Sequence, residues 1–355
     1  MRSACLLGLA AALLSVACPT GNAPPPNNNN NNNNNNQGGD TCAVSGSALE
    51  LPLPDEAATL PDFSGTLPDL SCVGSPPAIG PGESVTLQGC IDIFGLGGKA
   101  KRGVKVAIYA DSQDPKLETP TFGETDVFIK LDASGHDCAG AEASYEGCLA
   151  AACAKEGYYR IANIPTHVPL TMKVYAPGDD DVIETFTWGV VFDYLDTPAA
   201  AGVVEYEANL VYKSTYDSIP SLAGRVVDGA ANTADGVGRG VLAGEVRDCQ
   251  ERIVQGATIT TDRYDPSTKI TYFDGNTDDP KPNLARLSTN TDGLYVVINA
   301  TTDATTSLHT LVAGMIDPAC TGEDCSCTQI GTRTIRAYPD SVSIVTFRGD
   351  FPVDE

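Results

Sequence analysis

Apolar and polar residues alternate at every second position on either side of a polar turn in residues 242–261, LAGEVRDCQERIVQGATITT. A period of two places successive side chains on opposite faces of an extended chain, and the threonines near the end of the stretch favour the same conformation. Residues 249–252 are polar and interrupt the pattern. The stretch therefore predicts a strand, a turn and a second strand.

A weaker copy of this pattern lies upstream, in residues 87–109. Gly89 takes the place of Gly244, and Gly103 takes the place of Gly256, with a longer turn between the two strands. The repetition predicts two related β-modules in one chain.

Runs of strand length recur through the rest of the chain, separated by turns rich in Gly, Pro and Asp. The predicted strands are 85–87, 91–94, 104–109, 127–131, 158–161, 170–175, 184–192 and 203–212 in the first module, and 269–273, 284–287 and 294–298 in the second. Between two of them, helix formers at 141–155 predict one short helix inside a cysteine-containing insertion. The expected fold class is all-β with this short helical insertion.

Residues 1–17 carry one positive charge and then an apolar run that is too short to span a bilayer, as is typical of a signal peptide. The sequence Leu-Ser-Val-Ala before Cys18 resembles the lipobox of bacterial lipoproteins, although Ser15 stands where a lipobox usually carries leucine. The resemblance implies that Cys18 is the lipid attachment site and the mature N-terminus. The alternative is an ordinary secretory signal that is cut after Ala17.

The segment 18–72 has the composition of a tether. Three prolines precede an unbroken run of asparagines at 27–36, and such a sequence has no apolar residue to bury. This part of the chain is therefore predicted to be disordered. No Lys or Arg occurs between Arg2 and Lys99, so the tether is uniformly acidic.

A short repeat marks the end of the tether, because Thr-Leu-Pro-Asp at 59–62 occurs again at 66–69. Proline excludes both a helix and a central strand here. We expect an extended segment that lies on the first module and is held there by Cys42 or Cys72. A docking peptide for a partner is the alternative.

Two short sequences in the second module carry a family resemblance. VQGATI at 254–259 and TNTDGLY at 289–295 resemble the signatures of carboxypeptidase regulatory-like domains, which share the transthyretin-like (prealbumin-like) β-sandwich. EGYY at 156–159 occupies the matching place in the first module. The resemblance implies two tandem transthyretin-like or Ig-like sandwiches, at 73–222 and 241–355 with a linker at 223–240, and it implies no active-site residues.

Acidic residues outnumber basic ones by 46 to 22, which gives a net charge of −24. General attraction to nucleic acids or to anionic lipid surfaces is therefore disfavoured. Acidic groups at 179–181 and 278–279 leave weak calcium binding open, but neither has the spacing of an EF-hand. Solvated turns are the favoured interpretation.

Cysteines other than Cys5 and Cys18 are even in number, which favours disulfides in an exported chain. The disulfide candidates are Cys42, Cys72, Cys90, Cys138, Cys148, Cys153, Cys249, Cys320, Cys325 and Cys327. In the second module we expect Cys320 to pair with Cys325, which leaves Cys249 for Cys327. Zinc at the cluster 320–327 is the disfavoured alternative, because no fourth ligand lies nearby.

No catalytic motif is present in the sequence. His136, His167 and His309 are isolated from one another, and a G-x-S-x-G nucleophile elbow is lacking. Surface or loop positions are expected for the histidines, and core packing is expected for Trp188. We therefore predict no catalytic, cofactor-binding or metal-binding residues.

The predicted function is that of a non-catalytic lipoprotein of the bacterial cell envelope, in the outer membrane or at the cell surface, acting as a binding or structural module. Its expected partners are the membrane, through the lipid, and an envelope protein or a glycan. A secreted hydrolase subunit or a carbohydrate-binding accessory protein is the alternative.

Overall fold

The computed structural model describes residues 41–43, 50–52, 67–73, 82–95, 103–127, 157–192, 202–227, 238–264, 266–276, 280–302, 308–316 and 327–349. Within these ranges the chain is all-β with one helix, which confirms the predicted fold class. The strands are β1 (Thr41–Ala43), β2 (Glu50–Pro52), β3 (Ser84–Phe94), β4 (Lys105–Ala110), β5 (Gly123–Asp126), β6 (Tyr158–Pro165), β7 (Leu170–Tyr175), β8 (Val182–Val190), β9 (Val203–Glu205), β10 (Ala208–Tyr212), β11 (Gly238–Arg247), β12 (Ala257–Thr261), β13 (Lys269–Phe273), β14 (Pro282–Asn283), β15 (Leu294–Thr302), β16 (Leu308–Ile316), β17 (Cys327–Arg336), β18 (Ser341–Ile344) and β19 (Phe347–Arg348), and the helix is α1 (Lys213–Leu222).

The first half places its strands on two sides of a buried core. On one side β3 pairs with β6, β9 and β10, and on the other side the order is β5-β4-β7-β8. Alternate residues of both sides meet between them, including the fully buried Leu87, Ile108 and Tyr159. This is the arrangement of a β-sandwich.

The second half repeats these pairings with the same register. Strand β11 pairs with β15, β18 and β19 as β3 pairs with β6, β9 and β10, and β12-β16-β17 corresponds to β4-β7-β8. In the first half Leu87 lies opposite Val204, and in the second half Leu242 lies opposite Ser343. The two modules inferred from the sequence repeat are thus related in topology as well as in sequence.

The two matched glycines explain part of the repeat. A Cβ on Gly89 would lie 1.9 Å from the carbonyl oxygen of Tyr206, and a Cβ on Gly244 would lie 1.7 Å from that of Val345. Each of these carbonyls accepts a hydrogen bond from a buried tyrosine, Tyr159 at 2.7 Å and Tyr295 at 2.9 Å. The absence of a side chain on each glycine lets the backbone of the neighbouring segment approach closely. The tyrosine hydroxyl then donates the hydrogen bond that this carbonyl needs.

A parallel pair of strands joins the two halves into one sheet. Strand β18 lies between β11 of its own half and β8 of the first half, and Val342 is opposite Thr185. Phe186 and Trp188 of β8 belong to the core of the second half, and Trp188 is buried as predicted. Strand β8 therefore contributes side chains to the cores of both halves.

A further cluster of buried side chains lies between the halves. Ile183, Val211 and Tyr216 of the first half contact Val241 and Val342 of the second. Helix α1 covers this cluster from one side. It has a proline inside, at position 220, and no side-chain N-cap hydrogen bond, so its sequence carries few helix signals, and it was not predicted.

Several sequence-based expectations need correction. Predicted strands 85–87 and 91–94 are one strand, β3, and the predicted strand at 203–212 is two, β9 and β10. The predicted strand at 284–287 is wrong, because β14 ends at Asn283 and a turn follows. The predicted helix at 141–155 and the asparagine run lie outside the described residues.

The predicted tether and linker also contain paired backbone. Strands β1 and β2 form an antiparallel pair, so these six residues of the predicted tether are not disordered. Gly238 to Gly240, assigned to the linker, open strand β11.

Candidate functional site

A groove with a cavity of about 470 Å³ lies where the two halves meet. Its floor is the face of β11, β13, β15 and β18 that points away from the core of the second half, and its walls come from the end of β3 and from helix α1. A volume of this size matches that of ordinary ligand sites. It is the candidate functional site of the protein.

The groove is apolar because the strands of its floor carry apolar residues on both faces. On β15, Tyr295 and Val297 point into the second core, whereas Leu294 and Val296 point toward the groove. The first half covers only part of this outer face. Phe94 meets Phe273 edge to face at a centroid distance of 6.1 Å, and both rings line the groove.

Carboxylates line the groove, and most of them are already engaged. Glu245 forms an ion pair with Arg247 at 2.6 Å. Asp292 accepts hydrogen bonds from the backbone of Gly275 and Leu294, at 2.9 and 3.1 Å. These contacts fix the two carboxylates as parts of the fold.

Asp92 differs from its neighbours. Its side chain is exposed on the groove, and no hydrogen bond or ion pair from the described part of the chain reaches its carboxylate. Nearby protein nevertheless removes water from it, and this desolvation raises the pKa of Asp92 above its usual value. An opposite charge brought to Asp92 would therefore gain more than at an ordinary surface carboxylate.

A clamp binds the end of the tether to the second half. The buried carboxylate of Asp248 accepts hydrogen bonds from the backbone of Asp69, at 3.0 Å, and from the side chain of Arg252, at 2.8 Å. Burial raises the pKa of Asp248, but these hydrogen bonds outweigh it and hold the pKa below its usual value. Next to the clamp, Cys72 and Cys249 form a disulfide.

Two predictions about the tether are corrected by this clamp. The repeat segment was expected on the first module, but its described residues lie on the second, with Leu70 packed against the second core. Cys72 does hold it. The predicted pairing of Cys249 with Cys327 is wrong, because Cys249 is bonded to Cys72. The end of the tether lies on the second half and places Cys72 next to Cys249.

A cluster of charges lies across the joint between β8 and the second half. Glu184 pairs with Lys173 at 2.8 Å and with Lys116 at 2.6 Å. Burial raises the pKa of Glu184, but the hydrogen bonds from the two lysines outweigh it and lower the pKa. The Lys116 ammonium also lies 5.4 Å from the ring centroid of Tyr338, whose hydroxyl donates to Asp114 at 2.7 Å. This cluster fastens a loop of the first half to the second half.

The remaining predicted residues are dispersed. Cys90 is disulfide-bonded. Cys42 lies within β1, and Cys327 is the first residue of β17. Cys138, Cys148, Cys153, Cys320 and Cys325 lie outside the described residues, as do Cys18 and His136. The acidic turn at 179–181 is described and is closed by a hydrogen bond from the Asp181 backbone to the Asp179 side chain at 3.0 Å.

His309 corrects the expectation of surface or loop histidines. It is fully buried in β16, and its Nε2 lies 2.5 Å from the carbonyl oxygen of Thr301. His167 does lie in a loop, with a positive φ of 59°. The run of apolar residues at 308–316 is the signal in the sequence that would have indicated a buried strand here.

In the ranges that the structure describes, no three His, Cys, Asp or Glu side chains are grouped as a metal ion would require. Among the same residues, no helix combines the length and the hydropathy needed to cross a membrane.

No protein-family model matches the sequence, and no curated protein matches it at a significant level. The chain is similar to the shaft pilin SpaA of Lactobacillus rhamnosus GG, with 12% identity, coverage of 75% of this chain and 98% of the pilin, and a TM-score of 0.18. It is also similar to the SpaE basal pilin of the same organism, with 10% identity, 76% and 100% coverage and a TM-score of 0.20. A Streptococcal ancillary pilin has 10% identity, 75% and 68% coverage and a TM-score of 0.17. At these scores the likeness carries no argument about function.

Proposed function

We propose that the chain is an exported bacterial lipoprotein, held by Cys18 in the outer membrane or at the cell surface, and that its two transthyretin-like modules act together as a non-catalytic binding or structural unit. The observation that carries the proposal is the joint between the modules. A continuous sheet runs from β5 through β8 and β18 to β14, and side chains of β8 pack in both cores.

The path from the anchor to the modules supports the same function. A lipid on Cys18 would hold the start of the tether, and the disulfide of Cys72 with Cys249 holds its end. Force applied to the anchor would enter the second module at this clamp. It would then pass through the parallel pairing of β18 with β8 into the first module.

The charges at the joint favour a structural role over catalysis. A general base needs a carboxylate that is able to take a proton near neutral pH. Glu184 is held ionised by two lysines, and its pKa is lowered. The resemblance of the Asp-Gly-Leu-Tyr turn at 292–295 to carboxypeptidase regulatory-like domains also implies a module without an active site.

Replacing Cys18 with serine is expected to release the protein from membranes. Acyl chains contribute about 0.8 kcal/mol per buried methylene, so their loss removes the anchor. Fractionation of cells that express the full chain, followed by detergent phase partition, measures the result. The matched control is Cys5→Ser, which changes the same residue type inside the signal peptide and should leave the protein with the membranes. A wild-type protein that is soluble and starts at an unmodified Cys18 would contradict the anchor and leave a freely secreted protein.

A further inference from the structure

We propose that the groove between the modules binds a segment of a partner polypeptide through a lysine side chain, whose ammonium pairs with Asp92 while apolar neighbours of that lysine cover the groove floor. This inference rests on the proposed binding function and names the chemistry of its ligand.

The floor of the groove is a continuation of the apolar cluster between the modules. Phe94, Leu294 and Ile344 pack against the edge of that cluster and are only partly buried. All three line the cavity. Covering such side chains with apolar groups is favourable in proportion to the area removed from water.

The charge of the site selects the occupant. Glu245 and Asp292 are engaged by Arg247 and by backbone amides, so Asp92 is the groove carboxylate that remains to be paired. Asn209 lies opposite Asp92 in the pairing of β3 with β10 and also lines the groove. An ammonium has three donors, so a lysine bound to the carboxylate would keep donors for the neighbouring amide oxygen.

A lysine fits this combination better than other cationic groups. Its four-carbon stem can lie along an apolar wall while the compact charge reaches Asp92. The net charge of −24 attracts cationic segments over a longer range and repels acidic ones. A partner peptide with one lysine between apolar residues therefore matches the apolar lining and the charge of the groove.

The test uses the purified full chain and two fluorescent capped pentapeptides, Leu-Val-Lys-Val-Leu and the same peptide with norleucine for lysine. Fluorescence anisotropy measures both affinities at low salt. Wild-type protein should bind the lysine peptide about tenfold more tightly than the norleucine peptide. Asp92→Asn should remove this difference, and Asp92→Glu should restore most of it.

The matched control is Glu207→Gln, which removes the same charge from an exposed residue of the first half outside the groove. It should keep the tenfold preference for lysine. Equal binding of the two peptides by the wild type would overturn the proposal, as would an equal loss for Asp92→Asn and Glu207→Gln. Either result would leave membrane retention through Cys18 unchanged, so this inference fails separately from the proposed function.

Discussion

Replacing Phe186 with alanine is expected to lower the free energy of unfolding by about 4 kcal/mol and to destabilise both modules together. Phe186 is fully buried, and its ring lies 4.9 Å from that of Tyr338 and 6.2 Å from that of Trp188. It belongs to a strand of the first module but packs in the core of the second. The cavity left by alanine would therefore lie at the joint.

Urea unfolding can be followed through the fluorescence of Trp188 and through circular dichroism. Trp188 is the chain's one tryptophan, and it lies next to the substituted residue. The matched control is Phe122→Ala, in which the ring is only partly buried against the first core, and which should cost less than half as much. We expect both signals to report one unfolding transition that shifts to lower urea concentration. Two unfolding transitions, of which only one shifts in the variant, would contradict the shared core.

Gly244→Ala and Gly89→Ala are expected to cost about 3 kcal/mol each, because the added methyl group meets backbone rather than a movable side chain. The new Cβ would lie 1.7 Å from the carbonyl oxygen of Val345 in the first variant and 1.9 Å from that of Tyr206 in the second. The strands must separate, and this weakens the hydrogen bonds from Tyr295 and Tyr159 to the same oxygens.

Thermal unfolding of the two variants measures whether the repeat is structural. Gly331→Ala is the control, since its Cβ would meet the side chain of Phe347 at 3.1 Å, a contact that a shift of a few tenths of an ångström relieves without separating two strands. We expect a smaller loss there, of about 1 kcal/mol. If either of the two matched glycines tolerated alanine as well as Gly331 does, the equivalence of the two positions would be lost.

Local patterns in the sequence were sufficient to predict many strands. The range 170–175 is β7 itself, and the match of Gly89 with Gly244 predicted the repeat because close strand approach demands glycine in both modules. The groove was not predicted, although the apolar residues on both faces at 294–298 are typical of a strand that is covered on both sides. Asp92, a single acidic residue among the apolar residues of the predicted strand 91–94, gave no sign by itself that it would line a groove.

The joint and the clamp could not be predicted in the same way. Parallel pairing of β18 with β8 brings together residues that are far apart in the sequence. Neither strand is followed by a turn or a spacing pattern that would indicate this partner. Cys72 and Cys249 are separated by 177 residues, and the assumption that disulfides stay within a module placed Cys249 with the wrong partner. Contacts of this kind depend on how the two folded modules pack against each other, and local sequence patterns do not specify that packing.

The central claim is that the two modules share one sheet through β8 and β18. Hydrogen exchange at the backbone amides of Ser341–Ile344 tests it most directly, because slow exchange requires that these strands stay paired. We predict that these amides exchange as slowly as those of β15 in the second core, with an opening free energy equal to that of global unfolding. Exchange of Ser341–Ile344 at the rate of an exposed loop, while β7 and β15 remain protected, would show that the modules are separate.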